Sequence, residues 1–196
     1  MNYKIIGIDE KGFSEIYNNY MIKDFPQEEL RSLEDFQIAI KEQVIYAYAL
    51  VLDDDFLGYA TVVRLDDSDI MLLDYYAVSA KQRGLGLGSY FIKELFNLLP
   101  AKAFLLEVQN PQKVSKKEFE TAVQRVHFYE NNGAHHTNLE WTSFDNNYII
   151  MFLGSENALI DLDFEHYMRS FYRLLMPDHV VDKYTHATLN KSRNKI

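Results

Sequence analysis

At 196 residues the chain has room for one domain with an appendage, and a core of that size needs no metal or disulfide to hold it. Cysteine is absent, which excludes disulfides, cysteine-based zinc sites and a cysteine nucleophile, and fits a reducing compartment. A formal net charge of −9 sets the surface against phosphate backbones, so nucleic acid is not an expected partner; the same acidity either attracts a cationic amine or simply keeps the protein soluble.

The first residues carry no apolar h-region with a cleavage site, and no uncharged apolar run reaches the length of a membrane span. The reading is a cytoplasmic protein with no membrane partner. Residues 3–8 form a short apolar run suited to a buried strand. Residues 12–20 and 26–43 read as helices, the second opened by Pro26 and carrying Leu30, Leu33, Phe36, Ile40 and Val44 on one face. Three strand-like runs follow, 44–52, 56–65 and 70–78, separated by aspartate-rich turns. Connections this short favour an antiparallel meander, since a parallel crossover needs a dozen or more residues.

The pattern then becomes strand, glycine turn, helix and strand. The turn is followed by a helix over 89–99, a strand over 104–108 and a second helix over 116–132, which Gly133 stops. Strands are expected within 134–143 and 148–153, turning at Asp145-Asn146-Asn147. Residues 156–176 read as one amphipathic helix that Pro177 ends.

The most informative stretch is Tyr76-Ala77-Val78-Ser79-Ala80-Lys81-Gln82-Arg83-Gly84-Leu85-Gly86-Leu87-Gly88-Ser89. A strand that enters a glycine turn and opens directly into a helix aims backbone N–H groups and the helix dipole at one anion. Glycine lets a diphosphate lie against bare backbone, and Arg83 can add a charge-assisted contact. A Walker A loop is excluded, because no Gly-Lys-Ser/Thr occurs, and the GxGxG spacing departs from the dinucleotide fingerprint GxGxxG. Arg83 to Gly88 does satisfy R/Q-x-x-G-x-G.

In that motif the chain resembles the GCN5-related N-acetyltransferase (GNAT) superfamily. Phe128-Tyr129-Glu130-Asn131-Asn132-Gly133-Ala134 is similar to the family's second signature, and Leu105 to Pro111 sits in the expected order between the two. The resemblance spans roughly residues 1–154 and implies a mixed α/β fold. Its central, mostly antiparallel sheet would have about seven strands, with helices on both faces. Residues 155–196 would be a helical extension that either covers the core or makes a homodimer contact.

It further implies transfer of an acetyl group from acetyl-CoA to a primary amine by direct attack in a ternary complex. Ala77 and Val78 would pair with pantetheine, with the N–H near Val78 polarising the thioester. Arg83, Gly84, Leu85, Gly86, Leu87, Gly88 and Ser89 would hold the pyrophosphate, and Asn110 would contact pantetheine unless Asn110-Pro111 is only a strand-ending turn. Tyr129 is the candidate acid for the departing thiolate, since thiol and phenol differ only moderately in reference pKa (about 8.5 and 10). Asp74 and Glu107 are the candidate bases.

His127 reads better as an ordinary helix residue than as a base. His135-His136 is a poor chelate, because neighbours on a strand face opposite ways, and no metal is expected. The acceptor, a small-molecule or peptide amine, would be met around Asp24-Phe25-Pro26, Tyr20 and Trp141. Two other readings stay open: a non-catalytic acyl-CoA-binding or regulatory module, and a phosphate-binding domain for another nucleotide.

Overall fold

The computed structural model describes residues 2–53, 55–155 and 162–190. The fold is mixed α/β, and its eight strands form a mostly antiparallel sheet, one strand more than the seven or so expected. The chain divides into two compact units, Met1–Arg64 with Leu73–Leu99, and Leu65–Leu72 with Pro100–Ile196.

In the first unit β1 (Tyr3–Ile8), β2 (Ile45–Leu52), β3 (Asp55–Arg64) and most of β4 (Ile70–Val78) lie side by side in chain order. The expected meander is present, with β1 antiparallel to β2 from Tyr3↔Leu52 to Ile8↔Ala47 and β2 antiparallel to β3 from Ile45↔Val63. Helix α1 (Glu10–Ile16) starts where the Asp9 carboxylate accepts the Gly12 N–H at 2.8 Å. The chain then widens into a π-helical turn, Tyr17–Met21, and closes on α2 (Ile22–Asp24).

The helix expected over 26–43 is two pieces, a 3-10 turn at Gln27–Glu29 and α3 (Leu33–Lys41). Ser32 sets the break. Its backbone is extended, its hydroxyl accepts the Asp35 N–H at 3.1 Å, and it donates to the Asp35 carboxylate at 2.6 Å, so the helix restarts there. Phe36 on α3 is fully buried against Phe13 and Tyr75, with centroid distances of 4.9 and 5.4 Å. Helix α4 (Leu87–Leu98) begins two residues earlier than its pattern predicts and buries Leu87, Phe91, Ile92 and Leu95.

The second unit holds β5 (Ala103–Gln109), α5 (Phe119–Asn131), β6 (Ala134–Ser143) and β7 (Asn146–Gly154). After them come α6 (Phe164–Leu175), α7 (Asp178–Tyr184) and β8 (Thr185–Leu189). Its strand order is β5-β7-β6-β8, every neighbouring pair antiparallel. The β6–β7 turn is tighter than expected. Phe144, at φ +52°, and Asp145 make it, and pairing resumes at Ser143↔Asn146.

The long helix expected over 156–176 is α6 in its described part, opened by Asp163, whose carboxylate accepts the His166 N–H at 3.0 Å. Residues 156–161 lie outside the described residues. The extension is also not wholly helical, for β8 pairs with β6 from Ser143↔Thr185 to Leu139↔Leu189. Polar Thr185, His186 and Thr188 hid this strand from the hydrophobic pattern. Met168, Phe171 and Tyr172 of α6 and Val181 of α7 are buried, each such side chain contributing about 1.5–3 kcal/mol.

Candidate active site

Strand β4 ends at Val78, a 3-10 turn covers Ala80–Gln82, and the glycine loop leads into α4. Gly84 and Gly86 stand at φ +81° and +76°, in the left-handed region where a side chain costs energy. A Cβ built on either would meet nothing within 4 Å, so both face open space. Gly86 is also the residue capping α4, and no side chain bonds into that cap. The first N–H groups of a helix have no partner within it, so this end of α4 suits an anion. The Tyr76 phenol ties strand to helix, donating to the Gly88 carbonyl at 2.6 Å.

Arg83, the expected phosphate contact, reaches back across the loop. Its Nε donates to the Val78 carbonyl at 3.3 Å, and its guanidinium meets the Asp24 carboxylate at 2.7 Å. The second Asp24 oxygen accepts from the Tyr59 phenol at 3.2 Å, and burial, then Asp24, pushes that phenol's pKa well up. Asp24 thus joins α2 to the loop. Gly58 is a close-approach position beside Ala77 and Val78 that pattern reading missed. A Cβ there would stand 2.7 Å from the Ala77 carbonyl oxygen and 3.2 Å from the Val78 Cα. Only glycine lets β3 approach the end of β4 this closely, and a lone glycine inside a strand pattern was the available signal.

The two carboxylates proposed as bases have different surroundings. Asp74 is gripped by Arg31 at 2.6 and 2.8 Å, one bond to each oxygen, and Thr61 donates a third at 3.2 Å. Its side chain is 4% exposed. The Arg31 guanidinium lies 5.4 and 5.6 Å from the Tyr75 and Phe36 ring centroids, and the Tyr75 phenol donates to the Glu29 carbonyl. Asp74 therefore fastens the segment between the 3-10 turn and α3. Glu107 on β5 instead accepts from the Tyr172 phenol of α6 at 2.6 Å. Burial, then the Glu107 charge, holds the Tyr172 pKa well above the usual range.

Asn110 is 1% exposed and spends its side-chain oxygen on the Gln112 N–H at 3.0 Å, capping the turn Pro111–Lys113. Its own N–H donates to the Asn147 carbonyl at 2.9 Å. Tyr129 lies near the end of α5, half-buried, with its ring 5.1 Å from that of Phe128. Loss of hydration pushes its phenol up to about 12, with Arg125 pulling the other way. Gly133, at φ +85°, follows as the expected helix stop.

Glu130 is clasped by His136 at 2.8 Å and His127 at 3.0 Å, and those bonds hold its carboxyl below the usual range. His135 stacks on Phe152 instead, so the two adjacent histidines go to different partners. Among the described residues no group of three His, Cys, Asp or Glu could hold a metal ion, and no helix is long and apolar enough to cross a membrane.

The structure therefore gathers Ala77, Val78, Arg83 and the glycines with Asp24 in the first unit. It places Glu107, Asn110 and Tyr129 in the second. A model of the acetyltransferase (GNAT) family matches residues 11–134, more than half of the chain. The chain belongs to the GNAT family. With that membership comes the class of enzyme, the acyl-CoA-dependent N-acetyltransferases.

Solved GNAT structures share the fold. A protein of Bacteroides thetaiotaomicron assigned to these acetyltransferases superposes with a TM-score of 0.68 at 20% identity, covering 91% of this chain and 99% of its own. The ribosomal-protein-S18-alanine N-acetyltransferase of Escherichia coli gives 0.58 at 18% identity, covering 80% and 98%. A GNAT acetyltransferase of Elizabethkingia anophelis with acetyl-CoA bound gives 0.58 at 14% identity, covering 79% and 99%. Comparison with the curated proteins yields no match.

Proposed function

We propose that this GNAT enzyme transfers an acetyl group from acetyl-CoA to a primary amine of a small molecule or peptide, in the cytoplasm, by direct attack within a ternary complex. The observation that carries the reading is the loop itself. Two left-handed glycines face open space, and one of them caps a twelve-residue helix with no side chain in the cap. These residues fit a pyrophosphate. Arg83, Gly84, Leu85, Gly86, Leu87, Gly88 and Ser89 would hold it, and Ala77 and Val78 would align the pantetheine arm. Asn110 would reach that arm with its amide nitrogen, while its oxygen caps the following turn. When bound, acetyl-CoA supplies the acyl group as an activated thioester.

Holding donor and acceptor together contributes several kcal/mol through effective concentration, about 7 kcal/mol or more when alignment is good. The backbone N–H near Val78 polarises the carbonyl. Glu107 takes the proton from the ammonium form of the acceptor. Asp74 is assigned a holding duty instead, because both its oxygens are engaged by Arg31. As the C–S bond breaks, Tyr129 donates a hydrogen bond to the departing sulfur, which leaves as the thiol after taking the second proton that the nitrogen sheds on becoming an amide. A phenol near 12 stays protonated throughout the physiological range, so it is always available as a donor.

The test is calorimetric titration with acetyl-CoA, with ATP and NAD as controls, followed by thiol release over a panel of amines. Selective binding of acetyl-CoA with turnover of an amine supports the reading. Binding without turnover of any amine points to the regulatory alternative. Binding of ATP or NAD in place of acetyl-CoA overturns it.

A further inference from the structure

The family match ends at residue 134, yet the carboxylate taken as the base is completed by a residue well beyond it. Tyr172 is on α6, 65 positions along the chain from Glu107, and its phenol donates to Glu107 Oε1 at 2.6 Å. The ring is 6% exposed and is fixed by packing. Trp141 of β6 meets it edge-on at 5.4 Å, and the Arg169 guanidinium, one helical turn earlier on α6, lies 5.5 Å from the Trp141 ring centroid. Arg169 is in turn held by Glu165 at 2.9 Å. The neighbouring groups that act on the Tyr172 phenol are Ser143 of β6 and Tyr148 of β7.

Strand register explains why these residues meet. Pairing sets Glu107 opposite Ile150, Tyr148 opposite both Gln109 and Trp141, and Ser143 opposite Asn146. Directly paired residues and alternate residues share a face, so Glu107, Tyr148, Trp141 and Ser143 all rise from one side of the sheet in this unit. That is the side on which Tyr172 of α6 reaches Glu107 and Trp141.

We infer that Tyr172 is a positioning residue for the acetyl-transfer reaction: its phenol fixes the Glu107 carboxylate in place to receive the acceptor's proton. The inference rests on Glu107 being the base. A neutral donor stabilises the carboxylate without cancelling its charge, whereas a guanidinium would neutralise it. The extension is thereby part of the catalytic apparatus of this chain, in addition to its contribution to the core.

The experiment compares Tyr172→Phe and Glu107→Gln with the parent enzyme in the full chain, reading kcat and kcat/KM for the amine that the panel identifies across pH 5–10. Tyr172→Phe keeps the ring and its packing against Trp141 and removes only the hydroxyl. Without that donor the carboxylate binds its proton more tightly, so the acidic limb of kcat/KM moves to higher pH by about one unit. At any pH on that limb the value then falls about tenfold, with the KM for acetyl-CoA unchanged.

Glu107→Gln abolishes that limb altogether. If it retains full turnover, the assignment of the base fails and the inference goes with it. If Glu107→Gln is impaired while Tyr172→Phe keeps the parent's pH profile, Glu107 stands as the base and the role given to Tyr172 is overturned. Thermal unfolding of both variants shows that the change is in chemistry: a Tyr172→Phe limb shift in a protein that melts like the parent supports the inference, whereas a lowered melting temperature with an unshifted limb makes the tyrosine a structural residue only.

Discussion

Each of the two compact units holds a carboxylate on an inner strand, Asp74 on β4 and Glu107 on β5, and the two are bound in opposite chemical styles. Asp74 is met by a cation in a two-point grip that neutralises it and pins the chain before α3. Glu107 accepts a hydrogen bond from the neutral Tyr172 phenol, which orients the group. A carboxylate can thus be a strut or a proton acceptor depending on whether its partner carries charge. Sequence alone offered both as equivalent candidates, because each is a single acid on an apolar strand.

The largest expected effect lies at the glycine loop of the first unit, apart from both carboxylates. Gly86→Trp places a bulky side chain on a left-handed residue that faces open space, and acetyl-CoA binding should weaken by more than about 100-fold while circular dichroism keeps the parent's helix content. Glu107→Gln should lower kcat by about 100-fold, the usual contribution of a general base, with little change in melting temperature. Asp74→Asn should do the reverse. It takes the Asp74 charge away from Arg31, and urea unfolding should show a loss of about 1–3 kcal/mol, discounted because Arg31 is 21% exposed, while kcat per folded molecule stays within about threefold. A kcat loss in Asp74→Asn equal to that in Glu107→Gln would erase the distinction.

Tyr129→Phe should reduce kcat about tenfold with the Kd for acetyl-CoA unchanged, as rapid-quench kinetics and calorimetry would show. The smallest effect concerns alkaline pH. With its phenol raised to about 12, Tyr129 keeps its proton as pH climbs through 10, so the parent should show no alkaline loss of kcat from this group below about pH 11. A descending limb near pH 10 that disappears in Tyr129→Phe would mean the phenol titrates as an ordinary tyrosine.

What was readable in the sequence follows the distance over which the physics acts. The meander, the loop with its glycines and the stop at Gly133 are local, written in spacing and turn chemistry over a few residues, and they stand where the pattern put them. The broken helix before α3 was readable only in part. The apolar spacing ran straight through Leu30, and the competing signal was a single capping serine, Ser32. Strand β8 and the partners of Asp24, Asp74 and Glu107 were not readable, because each depends on residues brought together from far along the chain. Glycine 58 lies between these cases: its position was visible, but its reason, the nearness of Ala77 and Val78, is tertiary.

The span from Glu107 to Tyr172 also sets a timetable for biosynthesis. At about 5–20 residues per second a ribosome needs roughly 3–13 seconds to add the 65 positions between them. In the later part of that interval β6 has been made and its partner β8 has not, so β6 presents an open edge, and Glu107 lacks the Tyr172 phenol until the interval ends. The elements translated after residue 162 therefore supply both the last strand of the sheet and the phenol that Glu107 accepts from, and a ribosome that stalls before Tyr172 leaves a chain with the glycine loop already made and Glu107 without that bond.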